Sequence, residues 1–305
     1  MNQAVSVVIP CHNAAGSMQR QVDALLPQLE ETDELLLVDN RSADGTRRIA
    51  EEAALRDARV RVLNAPDKAG ANHARNIGAA RAHNPIILFC DADDVVHSGW
   101  VRSLRQVLGT DGIAGGSATP VDEEGRRLGP DLGLHETFGG PAYPLGATMG
   151  VRREVLETIG GFDESYAGGH DETDLAWRAA RAGWPTHFVP EARIDYVQRP
   201  DARSALQQRR LYARTSIQVW VQNPDLVDQS AVSLRGALNG VRLGLPLGIK
   251  MIRGTATARD AARWGWALGV LEGHLRYRVL GRPPARVAPP IPPAPHPAEP
   301  NRPCA

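Results

Sequence analysis

Short apolar runs alternate with amphipathic helical patterns through the first third of this 305-residue chain. The strands are predicted at 5–9, 34–38, 59–63 and 85–90, and the helices between them near 18–29, 45–55 and 72–82. Alternation of this kind predicts a largely parallel sheet covered by helices on both faces. In such sheets ligands bind at the carboxyl ends of the strands.

The segment 119–144 is rich in glycine, proline and charge, which indicates a long functional loop with a short hairpin. Regular structure is predicted on both sides of this loop. The predicted elements are helices near 101–108, 154–159 and 171–182 and a strand at 148–151.

The last third of the chain has a different composition. Helical patterns with mixed apolar and arginine faces cover 201–221, 232–252 and 259–280, and proline dominates after Arg282. Proline-rich segments bury too little apolar surface to form a core. We therefore predict an α/β domain at 1–200, a basic helical extension at 201–282 and a disordered tail at 283–305.

Charge and cysteine content narrow the classes of partner and compartment. The 35 basic and 35 acidic residues balance, so we expect no nucleic-acid partner. Cys11, Cys90 and Cys304 are an odd set without metal-ligand spacing, and no apolar leader precedes Val5, which indicates a reduced, cytoplasmic compartment.

The arginine-rich region 201–282 points to a surface partner. No apolar run reaches the roughly 18 residues that a spanning helix needs, so we expect no transmembrane segment. Basic amphipathic helices can contact an anionic membrane peripherally or form a dimer face, and the sequence supports both equally.

Two carboxylates, Asp91 and Asp93, follow the apolar strand predicted at 85–90. Residues i and i+2 of an extended segment point the same way, so both can face one hard cation such as Mg²⁺ or Mn²⁺. Such an ion could bridge the phosphates of a nucleotide and neutralise a leaving diphosphate. A turn that caps the helix before Trp100 accounts for the same residues equally well.

Three acids, Asp171, Glu172 and Asp174, follow a glycine pair at the predicted start of a helix. The helix dipole stabilises acids in a first turn, so capping alone explains one or two of them. Three acids in four positions exceed what capping needs. A carboxylate here could accept the proton of an attacking hydroxyl, a role that contributes about 10² to 10⁴ in rate.

Asn13, Asp39 and Arg75 also lie beyond strand ends or at a helix start. Asp39 can accept hydrogen bonds from a ribose or a uracil, although a turn residue is the simpler interpretation. Arg75 can contact a phosphate or a base, but an Arg-Asn pair at a helix start is more often a surface or capping feature. The chain has no Gly-rich Lys-Ser/Thr loop, which excludes a P-loop NTPase.

Taken in chain order, these residues resemble the motifs of inverting glycosyltransferase family 2, whose members have the GT-A fold. The resemblance covers 1–200 and implies a Rossmann-like mixed, mostly parallel sheet flanked by helices. The matching segments are 5–13, 38–46, 74–78, 91–93, 160–164 and 171–178.

The resemblance implies a role for each polar residue above. Asp91 and Asp93 would hold the divalent cation, and Asp171 or Glu172 would supply the catalytic base. Contacts to the nucleotide donor are implied for Pro10, Asn13, Asp39, Arg75 and Asp91.

The chain departs from the family pattern in two places. The usual acid pair is Glu then Asp, whereas here Asp171 precedes Glu172, so Glu172 falls where the base is expected. Many relatives carry a metal-binding His beyond the next strand, where this chain has Asp195 and Tyr196. The choice of base and the third metal ligand are therefore left open.

The resemblance implies transfer of a sugar from a nucleoside diphosphate sugar, with UDP expected, to a hydroxyl of a glycan or lipid-linked acceptor. The reaction would be metal-assisted and would invert the anomeric centre. A non-catalytic nucleotide-sugar or carbohydrate-binding module is one alternative, but it does not need both acidic clusters. A sugar nucleotidyltransferase is another, but its usual Gly-rich basic loop after the first strand is lacking at 11–17.

Overall fold

The computed structural model describes residues 3–198, 202–230 and 232–293. The strands are β1 (Val5–Cys11), β2 (Glu34–Asp39), β3 (Val60–Asn64), β4 (Ile86–Phe89), β5 (Val95–Val96), β6 (Ile113–Val121), β7 (Met149–Arg152) and β8 (Thr186–Val197). The helices are α1 (Met18–Leu25), α2 (Thr46–Arg56), α3 (Ala71–Arg81), α4 (Trp100–Leu108), α5 (Arg153–Ile159), α6 (Asp171–Arg181), α7 (Ala202–Gln222), α8 (Leu234–Ile252) and α9 (Ala258–Gly273).

These eight strands form one sheet in the order β3-β2-β1-β4-β7-β6-β8-β5. The strands β1 to β4 are mutually parallel, as the alternating pattern predicts. The strand β7 runs antiparallel to both β4 and β6, while β6 and β8 are parallel to each other. The predicted mixed sheet flanked by helices is confirmed.

The central strand β1 is buried on both faces. Val7 and Ile9 belong to one hydrophobic cluster, and Val8, which points to the other side, belongs to a second. Helix α3 lies close against this second face, where a Cβ on Gly78 would come within 2.3 Å of Val8. Burial on two faces is the reason that the strand is a continuous apolar run rather than an alternating one.

Strands β5, β6 and β8 are not among the strands predicted from the residue pattern. All of β6 is buried, but small residues dominate it because its neighbours come very close. A Cβ on Gly116 would lie 2.1 Å from the carbonyl oxygen of Ala192 in β8. Small side chains remove the β-branched signal on which strand prediction depends. The predicted loop at 119–144 therefore begins after Val121, with an antiparallel bridge from Val121 to Arg127 as its short hairpin.

The predicted helical extension is formed by α7, α8 and α9. Helix α7 also packs on the α/β region, where Val219 and Trp220 share a hydrophobic cluster with Tyr166 and Trp177. The division of the chain at residue 200 stays a prediction, but the two regions share buried apolar surface. No helix in the described ranges is both long and apolar enough to traverse a membrane.

Glycines on α9 allow it to lie directly against α7. A Cβ on Gly269 would come within 2.1 Å of the Arg210 carbonyl oxygen, and one on Gly265 within 2.4 Å of the Leu206 carbonyl oxygen. These atoms are backbone, so they cannot move aside as a flexible side chain would. The close contact of the two helices therefore depends on the absence of side chains at these positions.

We expect Gly269→Ala to destabilise the protein by about 1–3 kcal/mol, because the added methyl group overpacks the α7–α9 contact. Gly240→Ala on α8 is the matched control, since a Cβ there meets nothing within 4 Å. The control should stabilise by about 0.5–1 kcal/mol through helix propensity. Urea unfolding measures both changes, and the same sign for the two variants would contradict the packing argument.

The start of the tail differs from the expectation of disorder at 283–305. Residues 283–293 form an extended segment without helix or strand, and it lies against the α/β region. The Val287 carbonyl accepts a hydrogen bond from Glu164 N–H at 2.8 Å, and Ile291 is only 4% exposed within a core cluster. Proline prevents a helix here, but it leaves carbonyl oxygens free to bond to a neighbouring loop. Residues 294–305 lie outside the described part of the chain.

Candidate active site

Two of the residues predicted to contact a nucleotide, Pro10 and Asp39, lie at the carboxyl ends of parallel strands. Pro10 in β1 pairs in register with Val38, and Cys11 pairs with Asp39 at the end of β2. Asp39 is 6% exposed, and its Oδ1 has no hydrogen-bond partner among the described residues. A buried acceptor without a partner costs free energy, so Asp39 is poised for a ligand donor.

Asn13 lies beside this position but is engaged with the neighbouring loop. Its Oδ1 accepts a hydrogen bond from the Ala43 N–H at 2.9 Å, and its own N–H donates to Ser42 Oγ at 3.1 Å. Its backbone has a φ of 49°, in the left-handed region that Asn tolerates better than most residues. In this structure Asn13 therefore shapes the loop after β2, and its contact with a nucleotide stays a prediction.

Arg75 joins the two acidic clusters. Its guanidinium donates to Asp91 at 2.8 Å and to Asp171 at 2.9 Å, and its side chain is 8% exposed. The group also lies over the Phe162 ring, 5.4 Å from the ring centroid. Burial lowers the pKa of Arg75, but Asp91 and Asp171 outweigh it and raise that pKa above its ordinary value. The two acidic clusters, about eighty residues apart in the sequence, therefore meet at the positively charged guanidinium of Arg75.

The first turns of α3 and the loop before α6 are joined by hydrogen bonds. Asn76 donates to the Phe162 carbonyl at 2.9 Å and accepts from the Phe162 N–H at 2.8 Å. Arg178 on α6 donates to Asp174 at 2.8 Å and to the Gly161 carbonyl at 2.8 Å. Of the predicted Arg-Asn pair, Arg75 therefore belongs to the site, and Asn76 supports the loop that carries Phe162.

The acidic turn after β4 contains two partly exposed carboxylates and one buried carboxylate. Asp91 keeps 30% of its side chain exposed, and Asp93 is half-buried. Asp94 is 1% exposed and accepts the Val197 N–H at 2.9 Å, which ties the turn to β8. Burial, and then Asp91 and Asp93, raise the pKa of Asp94 well above its ordinary value. Asp94 is thus a structural residue, whereas Asp91 and Asp93 remain partly exposed.

The turn after β4 offers carboxylates to a divalent cation, but the described residues do not form a complete set of metal ligands. In the parts of the chain that the structure covers, no three His, Cys, Asp or Glu side chains are grouped as a metal site. Mg²⁺ is usually bound by one or two carboxylates together with substrate phosphates and water. Asp91 and Asp93 are of the right chemical type for such a site, and their role as metal ligands stays a prediction. Asp195, which replaces the expected His, is instead 2.8 Å from His97 Nε2.

The acids at the start of α6 are buried and differ from each other. Asp171 pairs with Arg75, whereas Glu172 lies 3.5 Å from the Tyr212 hydroxyl. Burial, followed by the charge of Asp171, raises the pKa of Glu172 well above its ordinary value of 4.5. A general base works best when its pKa approaches the operating pH, so Glu172 is better suited to that role than the ion-paired Asp171.

Tyr212 is a site residue that the sequence did not predict. It lies on α7, and its ring is 4.3 Å from the His170 ring. A Cβ on Gly169 would lie 2.4 Å from the Tyr212 ring, and Gly169 has a φ of 109°. The glycine pair before α6 thus lets the helical extension cover the acidic cluster. The glycine pair in the sequence indicates that another part of the chain packs closely here. It does not indicate which residue does so.

Burial also shifts the pKa values of Cys11 and His170, and it indicates that these side chains serve packing. Cys11 and Cys90 are buried free thiols, and burial raises the pKa of Cys11 to about 12. Both therefore pack as small hydrophobic residues, while Cys304 lies outside the described residues. Burial lowers the pKa of His170 to about 3, so this histidine is neutral and serves packing against Tyr212.

Comparison with solved structures identifies the same architecture. The mannosyltransferase PcManGT from Pyrobaculum calidifontis superposes with a TM-score of 0.60 at 17% identity, covering 90% of this chain and 87% of that one. S. aureus TarS 1-349 gives a TM-score of 0.52 at 15% identity, with 92% of each chain covered. At these identities the likeness concerns the fold, which is GT-A.

Curated relatives are more similar in sequence. Glycosyltransferase AglE of Haloferax volcanii is 27% identical over 229 residues, which span 71% of this chain and 74% of that protein. The pre-mycofactocin glycosyltransferase of Mycobacterium tuberculosis is 26% identical over 277 residues, which span 85% of this chain but 57% of its own length.

The family models agree with these relatives. The model described as glycosyl transferase family 2 matches residues 6–160, which include Arg75, Asp91 and Asp93. The model described as glycosyl transferase family group 2 matches residues 86–271, which include Asp171, Glu172 and Tyr212. The alternatives of a binding module and of a nucleotidyltransferase are therefore not retained. The chain belongs to glycosyl transferase family 2 and is a glycosyltransferase.

Proposed function

We propose that this enzyme moves a sugar from a nucleoside diphosphate sugar to a hydroxyl of a glycan or lipid-linked acceptor, with inversion and with the help of a divalent cation. The observation that carries the proposal is the bridge from Asp91 through Arg75 to Asp171. It brings the residues suited to a diphosphate next to those suited to proton transfer. A binding module would have no need to bury both clusters together.

In the proposed reaction Glu172 acts as the base. The acceptor oxygen forms a bond to the anomeric carbon as its proton passes to Glu172, and the bond to the diphosphate breaks with its electron pair. Attack opposite to the leaving group inverts the anomeric configuration. Asp171 accepts a hydrogen bond from Arg75 and would hold the guanidinium near the position of the leaving group.

Asp91 and Asp93 would hold Mg²⁺ or Mn²⁺, which when bound would supply positive charge for the leaving diphosphate. Arg75 supplies a permanent positive charge at the same place, because its pKa is raised by the two carboxylates that flank it. Positive charge that is fixed before the reaction needs no reorganisation when the diphosphate departs.

The nucleotide is proposed to lie over Asp39, whose unpaired Oδ1 can accept a ribose or base donor. UDP is our first candidate for the nucleotide. Among proteins of the same fold, TarS has been solved with UDP and PcManGT with GDP-Man and Mn²⁺. A screen of UDP- and GDP-linked sugars against glycan and lipid-linked acceptors tests the proposal. Donor binding without transfer to any acceptor would overturn it.

Asp93→Asn should raise the Mn²⁺ concentration needed for half-maximal transfer by about tenfold or more, because the cation loses a charged ligand. Titration of transfer with Mn²⁺ and Mg²⁺ measures the effect. Asp67→Asn is the matched control on an exposed loop and should leave the titration unchanged. A metal dependence identical in both variants would exclude Asp93 as a ligand.

A further inference from the structure

Helix α8 carries an exposed apolar stripe. An adjacent side of the helix packs on α9, where Trp264 lies against Gly244 and Gly248. The outward residues recur at spacings of seven, four and three, which places them on one face of the helix. They are between 49% and 88% exposed, and they are Leu238, Leu245, Ile249 and Ile252.

Positive charge borders this stripe. Arg235, Arg242 and Arg253 follow one another at two-turn and three-turn spacings, beside the apolar residues. The segment 234–259 contains five basic residues and no acid, and the next acid, Asp260, pairs with Lys250 at 3.1 Å. The exposed side of α8 is therefore both apolar and cationic, without a carboxylate of its own to neutralise it.

We propose that α8 docks this face on an anionic lipid bilayer, with the leucine and isoleucine side chains among the acyl chains and the arginines at the headgroups. A helix with a large apolar face bordered by cations has this preference at a lipid surface. A second copy of the chain fits less well, because pairing α8 with itself would bring two acid-free cationic surfaces together. The charge of the helix thus favours lipid over self-association.

Sedimentation of the full chain with vesicles tests the proposal, and no sugar donor is needed. We expect binding to phosphatidylcholine mixed with phosphatidylglycerol and much weaker binding to phosphatidylcholine alone. The double variant Arg235→Gln with Arg242→Gln should bind the mixed vesicles about 30-fold less, from the lost attraction of two cations. Raising the salt concentration should also weaken the binding of the parent protein to the mixed vesicles.

A second double variant, Leu245→Gln with Ile249→Gln, tests the apolar stripe. It should lower binding by about tenfold or more, since less apolar surface enters the bilayer. Glutamine is a good helix former and both sites are exposed, so α8 should remain folded by circular dichroism. Leu55→Gln, an exposed leucine on α2, is the matched control and should bind like the parent.

Two results would overturn the proposal. One is equal binding of the parent and both double variants to anionic vesicles. The other is absence of vesicle binding at low salt together with a dimer, seen by sedimentation velocity, that Leu245→Gln with Ile249→Gln dissociates. Because binding is measured without catalysis, neither result depends on the proposed reaction.

Discussion

Glu172→Gln should lower the rate of sugar transfer by about 10² to 10⁴, because the amide cannot accept the acceptor proton. Glutamine has nearly the same size, so binding of the donor should persist. The measurement is the rate at saturating donor and acceptor, with donor affinity determined separately by calorimetry. Glu157→Gln on the exposed side of α5 is the control and should transfer at the parent rate.

The pH dependence of transfer gives a second measure of the same role. Burial and Asp171 raise the pKa of Glu172, so the carboxylate forms only well above pH 4.5 and transfer should increase as the pH rises through that pKa. The glutamine variant should lose this increase. The charged or titratable groups that interact with Glu172 are Asp171, Arg75, Tyr143, Tyr196 and Tyr212.

Asp171→Asn separates the two acids. If Asp171 were the base, its variant would lose the pH-dependent increase and Glu172→Gln would keep it. We expect the reverse, with a smaller loss of rate in Asp171→Asn that arises from the freed Arg75. Unchanged rates in both variants would reject a base in this cluster.

Arg75→Met should destabilise the protein by about 3 kcal/mol and abolish measurable transfer. The substitution leaves Asp171 buried without its cation, and removing one partner of a buried pair costs about 3–5 kcal/mol. We expect the lower end of that range, because Asp91 keeps 30% of its side chain exposed and stays partly solvated. Urea unfolding gives the stability, and donor titration shows whether the diphosphate site is lost.

Two comparisons make the Arg75 result specific. Arg75→Lys keeps the charge but lacks the planar fork that reaches both carboxylates, so it should fall between the parent and Arg75→Met. Arg47→Met removes an exposed ion pair with Glu51 on α2 and should change stability by less than about 1 kcal/mol. If Arg47→Met lowered the free energy of unfolding as much as Arg75→Met does, the bridge through Arg75 would contribute no more to stability than a surface ion pair.

Much of the α/β region could be read from the sequence because its strands are buried on both faces. The runs that form β1, β2 and β4 are continuous and apolar, and the positions of the helices follow from their spacing. Strands β6 and β8 could not be read in this way. In β6 the neighbouring chain comes so close, as at Gly116, that small residues dominate the strand. In β8 large apolar residues are interspersed with charged ones, and Pro190 interrupts the pattern by which a strand is recognised.

The sequence by itself determined which residues carry charge and where each falls relative to a strand end or a helix start. From these positions Asp91, Asp93, Asp171 and Glu172 were predicted as candidate groups of the site, and the roles that the resemblance implies for them stay predictions. The positions themselves follow from local geometry, which a chain encodes within a few neighbouring residues.

Only the tertiary structure decided which of these groups meet and what surrounds them. The bridge through Arg75, the burial that raises the pKa of Glu172 and the cover supplied by Tyr212 all depend on contacts between residues far apart in the chain. Such contacts form when the packing of sheet and helices excludes water from several segments at once, and no local pattern records which segments those are.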